Sequence, residues 1–200
     1  MNTRDSILRA AAELFYEKGF DGASQREIAG RVGIDAGSIY NHFPSKQDIL
    51  ATILISVGDD LRTELIERTS CLENPVDKLI AACRLHVLAS IDRREESACY
   101  HTEMRVLQGD KRELLLANRG KHQGIVESII REGVGSGVFE TEDIELATIA
   151  ILTMWNSVIS WYKPDGRLSP EEIADRYCDM ALAILGHPRR GGNNAIKAGS

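Results

Sequence analysis

Between Gly19 and Pro44 the chain has room for two helices of about two turns each and nothing longer. Gly19, Gly33 and Pro44 are the stops. Glycine takes up the left-handed conformation that ends a helix, and proline has no amide hydrogen with which to continue one. Upstream, Ile7, Leu8, Ala11, Leu14 and Phe15 recur at helical spacing and predict a first helix with one apolar face, ending at Gly19. Ser24-x-x-Glu27 is a capping box that opens a second helix, with Ile28, Ala29 and Val32 inward. Gly33 ends it and Asp35 can cap a third, Ala36 to Phe43, whose apolar residues are Ile39, Tyr40 and Phe43. Two short helices joined by a glycine-containing turn and braced by a longer one form a three-helix helix-turn-helix unit.

After Pro44 the helices lengthen. Ser45-x-x-Asp48 opens a fourth, to about Leu65, and Asn74-Pro75 a fifth, to about Ile91. A shorter helix spans about 95–107. Asp110-x-x-Glu113 starts a long one to about Gly133, Thr141 one to about Tyr162, and Ser169-Pro170-Glu171-Glu172 a last one that stops at Gly186. No period-two alternation persists. The expected fold is all-α with about nine helices: a helix-turn-helix domain over 1–50, including the start of the fourth helix, and a helical bundle over 51–187. The tail, 188–200, is rich in Gly, Arg and Asn and reads as disordered.

An apolar share of 43% suits a packed core and is too high for a disordered chain. No uninterrupted apolar run of about 18 residues is visible, so no membrane span is expected. The start, MNTRDSIL, lacks the pattern of a signal peptide, and the expected compartment is the cytoplasm. Cys71, Cys83, Cys99 and Cys178 form no C-x-x-C pair and no zinc spacing, so they read as reduced thiols. There is no G-x-S-x-G, P-loop or G-x-G-x-x-G, and His101-x-Glu103 points to two sides of a helix. Neither an enzyme nor a metal or cofactor site is expected.

The net charge of −6 argues against DNA binding through bulk charge. Residues 1–50 are close to neutral, with six cations (Arg4, Arg9, Lys18, Arg26, Arg31, Lys46) and seven acids (Asp5, Glu13, Glu17, Asp21, Glu27, Asp35, Asp48). A DNA interface must therefore rest on a few placed groups. The third helix offers small residues at its start, Ala36 and Gly37, whose N–H groups favour anions, and polar tips at Ser38, Tyr40, Asn41 and His42. Lys46, in the first turn of the next helix, opposes the macrodipole. A phosphate held there would remove the conflict, although a solvated lysine is the alternative.

The stretch from Ile7 to Leu50 resembles the N-terminal domain of the TetR family of transcriptional regulators. The resemblance rests on Ile7-Leu8-x-x-Ala11, Leu14-Phe15-x-x-x-Gly19-Phe20, Ser24-x-Arg26-x-Ile28-Ala29, Val32-Gly33-Ile34, Gly37-Ser38-Ile39-Tyr40-x-His42-Phe43 and Ser45-Lys46. It implies phosphate contacts from Ser24, Arg26, Tyr40, His42 and Lys46. It also implies that Ala36, Gly37, Ser38 and Asn41 face the major groove, with Gln25 part of the same DNA-binding set. With no Arg or Lys in the third helix, bidentate reading of guanine is not expected from it, and apolar contact and DNA shape carry more of the readout.

The helix after Thr141 is apolar almost all round and needs cover on every side. The last helix has a stripe of Ile173, Tyr177, Ala181, Ile184 and Leu185, flanked by Ala174, Cys178 and Leu182. Both fit a four-helix interface with a second copy, as the resemblance implies, and burial within one subunit is the alternative. Trp155, Trp161-Tyr162-x-Pro164-x-Gly166 and Leu168-Ser169-x-Glu171 resemble a TetR subgroup that controls lipid and steroid catabolism and responds to acyl-CoA thioesters. Polar residues scattered along apolar helices make Arg84, His86, Tyr100, His101, Met104, Arg105, His122, Trp155 and Asn156 the candidates for an effector pocket, with Arg84 or Arg105 available for a carboxylate or phosphate.

The resemblance thus implies a homodimeric repressor that binds palindromic double-stranded operator DNA and is released by a small molecule. Two alternatives remain: a DNA-binding regulator without an inducer, and a helical small-molecule-binding protein or enzyme whose helix-turn-helix is vestigial.

Overall fold

A computed structural model describes residues 2–187, and the expected disordered tail lies outside them. All regular structure among the described residues is helical. Helix α1 (Thr3–Gly22) is capped by the Asn2 side chain, and α2 (Gln25–Val32) by the reciprocal bonds of Ser24 and Glu27. Gly19 does not end α1 as expected. It interrupts the helix with φ 72°, after which the chain turns once more to Gly22, letting Phe20 fold back to 5.4 Å from Phe15, centroid to centroid.

Gly33, at φ 78°, ends α2 as the sequence predicts. The third element is not the α-helix expected over Ala36–Phe43 but a single 3-10 turn, Ser38–Asn41. Its bonds run three residues back: Ser38 N to Asp35 O, Tyr40 N to Gly37 O, and His42 N to Ile39 O. Pro44 leaves no length for more. Burial of Ile39 and Phe43 fixes the turn to the core.

Helix α3 (Lys46–Ser70), capped by Ser45, connects this module to the rest. There follow α4 (Pro75–Asp92), α5 (Arg94–Glu103), a 3-10 turn at Met104–Val106, and α6 (Gly109–Gly135). The predicted helix over Thr141–Tyr162 starts later and is broken. Asp143, not Thr141, caps α7 (Ile144–Asn156), and α8 (Val158–Trp161) follows a break at Ser157. Helix α9 (Pro170–Ile184) begins with the Ser169 capping box.

Buried side chains form two cores. One gathers α1, α2, the turn and the start of α3, from Ile7 to Leu54, and is completed by Cys99, Leu107 and Leu115 from the bundle. The other runs from Leu65 to Leu185 around Trp155. Helix α3 crosses from one to the other, and α5 gives Cys99 to the first core, against which Tyr100 also packs.

Two expectations about the C-terminal helices need correction. The stripe on α9 is largely internal: Ile173, Ala174, Tyr177, Cys178, Ala181, Leu182 and Leu185 are buried within the subunit, and Ile184 alone of that set is exposed. The exposed apolar surface is made instead by Leu146 and Ile149 on α7, Trp161 on α8, and Met180 and Ile184 on α9. The segment Ile144–Trp161, with mean hydropathy 1.3, is also long and apolar enough by composition to cross a membrane, which counting uninterrupted apolar residues overlooked. Here it is interrupted at Ser157, and Ile151, Leu152, Trp155 and Val158 are packed into the bundle.

Candidate functional site

At the N-terminal end the 3-10 turn projects its polar side chains outward. Tyr40 is 57% exposed, and Gly37, Asn41 and His42 are exposed, while Ser38 and Ala36 are half-buried. Arg26 is exposed on α2 and forms no ion pair among the described residues. The other cations on α1 and α2 that face carboxylates are engaged: Lys18 with Glu27 at 2.7 Å, and Arg31 with Glu17 and Glu13. Salt-bridging to Arg31 holds the Glu17 carboxyl below its ordinary range, and Lys18 with Ser24 holds that of Glu27 at about 2.

Several predicted contacts have structural work as well. Ser24 is spent on its cap, and Gln25 donates to the Phe43 carbonyl at 3.4 Å, tying α2 to the turn. The free N–H groups expected at the start of the third helix are not free. Gly37 N donates to the Asp35 carboxylate at 2.7 Å and Ser38 N to the Asp35 carbonyl, so this end is no ready anion site. Lys46 points back under α1 and donates to the carbonyls of Phe20 and Ala23, at 2.6 and 2.7 Å. Those carbonyls, rather than a phosphate, relieve its conflict with the α3 dipole. Sequence reasoning missed Arg4, whose guanidinium lies 4.9 Å from the centre of the Phe43 ring, beside the exposed turn and with no carboxylate partner among the described residues. Its only signal was a cation on the first turn of α1 with no acid spaced to meet it.

The second feature is a cavity of about 380 Å³ enclosed by α3, α4, α5, α6 and α7. Of the predicted pocket residues, His86, Tyr100, His101, His122 and Asn156 line it. Trp155 stands one layer behind, 5.6 Å from the His86 ring and fully buried. Arg84 is outside, paired with Asp175 on the surface. Met104 and Arg105 are outside too: the chain leaves α5 for the 3-10 turn at Met104, whose side chain packs against the N-terminal core, and Arg105 is exposed. The cations at the cavity are instead Arg93 and Arg119, which nothing in the local pattern distinguishes from the other helical arginines. Arg93 pairs with Asp60, whereas Arg119 reaches only Met104 Sδ, at 3.8 Å, among the described residues.

Another part of the lining is polar but uncharged. His86 Nε2 lies 2.8 Å from Asn156 Oδ1, and the His86 and His122 rings are 5.5 Å apart. Burial, reinforced by His122, pushes His86 down to about 3, and burial with the nearby Arg62 pushes His122 down to about 4, so both are neutral at neutral pH. His86 Nδ1 and both nitrogens of His122 are buried without a protein hydrogen-bond partner. A buried polar atom left unpaired costs about 1–3 kcal/mol, and three on one wall are a reason to look for a ligand there. No group of three or more His, Cys, Asp or Glu among the described residues is placed to hold a metal ion.

Helix α3 passes both features. Val57, Gly58 and Leu61 line the cavity, and a side-chain carbon at Gly58 would stand 3.8 Å from the Tyr100 ring. Upstream of Gly58, the same helix starts at Lys46.

Two family profiles cover most of the chain. Residues 7–53 match the one described as bacterial regulatory proteins, tetR family, and residues 72–185 match the tetracyclin repressor-like C-terminal domain. The HTH-type transcriptional repressor KstR2 of Mycolicibacterium smegmatis is 31% identical over 90% of this chain and 88% of that protein. The crystal structure of the TetR-family regulator PfmR from Thermus thermophilus superposes with a TM-score of 0.83 at 31% identity, covering 92% of this chain and 99% of that one. AibR, solved with isovaleryl coenzyme A and operator DNA, superposes with a TM-score of 0.84 at 26% identity, covering 94% of this chain and 100% of that one. The chain belongs to the TetR family of bacterial transcriptional regulators.

Proposed function

We propose that this protein is a homodimeric repressor that holds palindromic operator DNA through the edge around Tyr40 and lets go when a coenzyme A thioester of an organic acid enters the cavity. The observation that carries the reading is the path of α3, which has its first turn in the DNA-contacting module and its middle in the cavity wall. The similarity to KstR2 and to AibR, the latter solved with an acyl-CoA and operator DNA, supports both halves. Tyr40, Asn41, His42, Arg26 and Arg4 present the polar and cationic tips; Ser24, Gln25 and Lys46 hold that edge in shape, and the third N–H of Lys46 remains for a phosphate. Ala36, Gly37 and Ser38 face the groove.

The exposed apolar side chains of α7, α8 and α9 are the proposed surface for the second copy. Effector bound against Tyr100 and Gly58 separates α3 from α5, and α3 carries the change to the turn. A coupling of about 1–3 kcal/mol is enough to change operator occupancy. The protein works in the cytoplasm, where operator DNA is, and catalyses nothing.

The test is fluorescence anisotropy with labelled DNA from upstream of the protein's own gene. Tight, salt-sensitive binding that is reversed by a panel of acyl-CoA thioesters supports the reading. Tight binding that no thioester reverses leaves a regulator without this inducer, and absence of DNA binding overturns the repressor assignment.

A further inference from the structure

We propose that the His86–His122–Asn156 wall is a hydroxyl-binding subsite, so that the effector carries a neutral alcohol oxygen on its apolar body and an anionic end toward Arg119. This rests on the effector reading of the cavity above and narrows it.

The argument is one of matching donors to acceptors. A neutral imidazole has one N–H and one lone pair on nitrogen. His86 uses its Nε2–H on Asn156 Oδ1, which leaves Nδ1 as an acceptor with no protein partner. His122 uses neither nitrogen, so it offers one donor and one acceptor. The two ring centroids are 5.5 Å apart, so a small group that reaches one ring is within reach of the other.

An alcohol donates to one ring and accepts from the other. A ketone only accepts, and leaves the lone pair of His86 unmatched. A carboxylate also only accepts, and would bring a full charge into a wall buried deeply enough to keep both imidazoles neutral. An unsubstituted alkyl chain satisfies nothing here. Around the pair, Leu61, Ala89 and Leu152 give the apolar contact for the rest of the molecule. Arg119, exposed and without a carboxylate partner among the described residues, is the cation for the anionic end.

Isothermal titration calorimetry on the full chain tests this with octanoyl-CoA and three octanoyl-CoA derivatives bearing one hydroxyl at carbon 3, 5 or 7. At least one hydroxylated thioester should bind about tenfold tighter than octanoyl-CoA, the gain of one well-placed hydrogen bond. In His122→Phe the ratio of hydroxylated to plain octanoyl-CoA affinity should fall to about one. His122→Leu, smaller than the imidazole it replaces, is the second variant should the phenyl ring disturb folding. Equal affinity across the four ligands, as when water bridges the imidazoles, overturns the subsite but keeps the effector reading. A hydroxyl preference that survives both substitutions overturns the role of His122, and no binding by any thioester overturns both readings.

Discussion

Lys46 Nζ donates to the Phe20 carbonyl at 2.6 Å and sits 4.2 Å from the centre of the Phe20 ring. A second bond, to Ala23 O at 2.7 Å, makes this ammonium the clasp between the end of α1 and the start of α3. Lys46→Ala should therefore lower the unfolding free energy by about 1.5–3 kcal/mol, the range for hydrogen bonds to a charged group. It should also reduce the salt slope of operator binding by about one ion. Urea denaturation and a salt titration check the two effects separately. A full-stability variant would show the clasp to be idle.

The neutral imidazoles of His86 and His122 make stability depend on pH. Folding holds them at about 3 and about 4, against 6.5 for the free side chain. Between those values the unfolded chain binds more protons than the folded one, so stability rises with pH across that window. The contribution is complete above about pH 6.5 and is lost progressively as pH falls toward 4 and below. Chemical denaturation at a series of pH values from neutral down to about 5 should show the decline, and His122→Phe should make it shallower.

Gly133 on α6 has no room for a side chain. A methyl there would stand 2.0 Å from the Phe139 ring, and Gly133 O accepts from both Val138 N and Phe139 N, so the loop cannot easily withdraw. Gly133→Ala should cost about 1–3 kcal/mol by overpacking. Differential scanning calorimetry should find a lower Tm, and Phe139→Leu in the same chain should recover part of it.

A substitution at Arg119 tests the proposed effector binding apart from DNA binding. The arginine lines the cavity from α6 and is not part of the exposed turn around Tyr40. Arg119→Gln should weaken an anionic effector about tenfold and leave the unliganded protein's operator affinity unchanged, as read by calorimetry and anisotropy. Loss of operator binding in this variant would place the residue in another role.

Local signals made most of the helices legible. The Ser24–Glu27 box, Asn74-Pro75 and Ser169-Pro170 each mark a start that the structure keeps. What the sequence concealed depends on contacts remote in the chain. Lys46 looks free until Phe20 and Ala23 are brought beneath it, and the α9 stripe looks like an interface until α4 covers it. Asp35 was legible as a cap, but not that its bonds to Gly37 and Ser38 would tighten the next element into a 3-10 turn. In the cavity, His86, His122 and Asn156 stood out as polar residues among apolar ones. Arg119 did not, because a cation on an exposed helix face looks the same whether or not a cavity opens beside it.

The proposed mode of repression has DNA meet the protein at the exposed turn around Tyr40. Anisotropy of a labelled operator fragment with wild type and Tyr40→Ala examines that contact alone, since removing a 57% exposed side chain should leave the Tm in place. Operator affinity should be at least about tenfold weaker in the variant, in line with the loss of a phosphate or base contact. Equal affinity of the two proteins, at equal stability, would move the DNA-binding edge elsewhere and refute the reading.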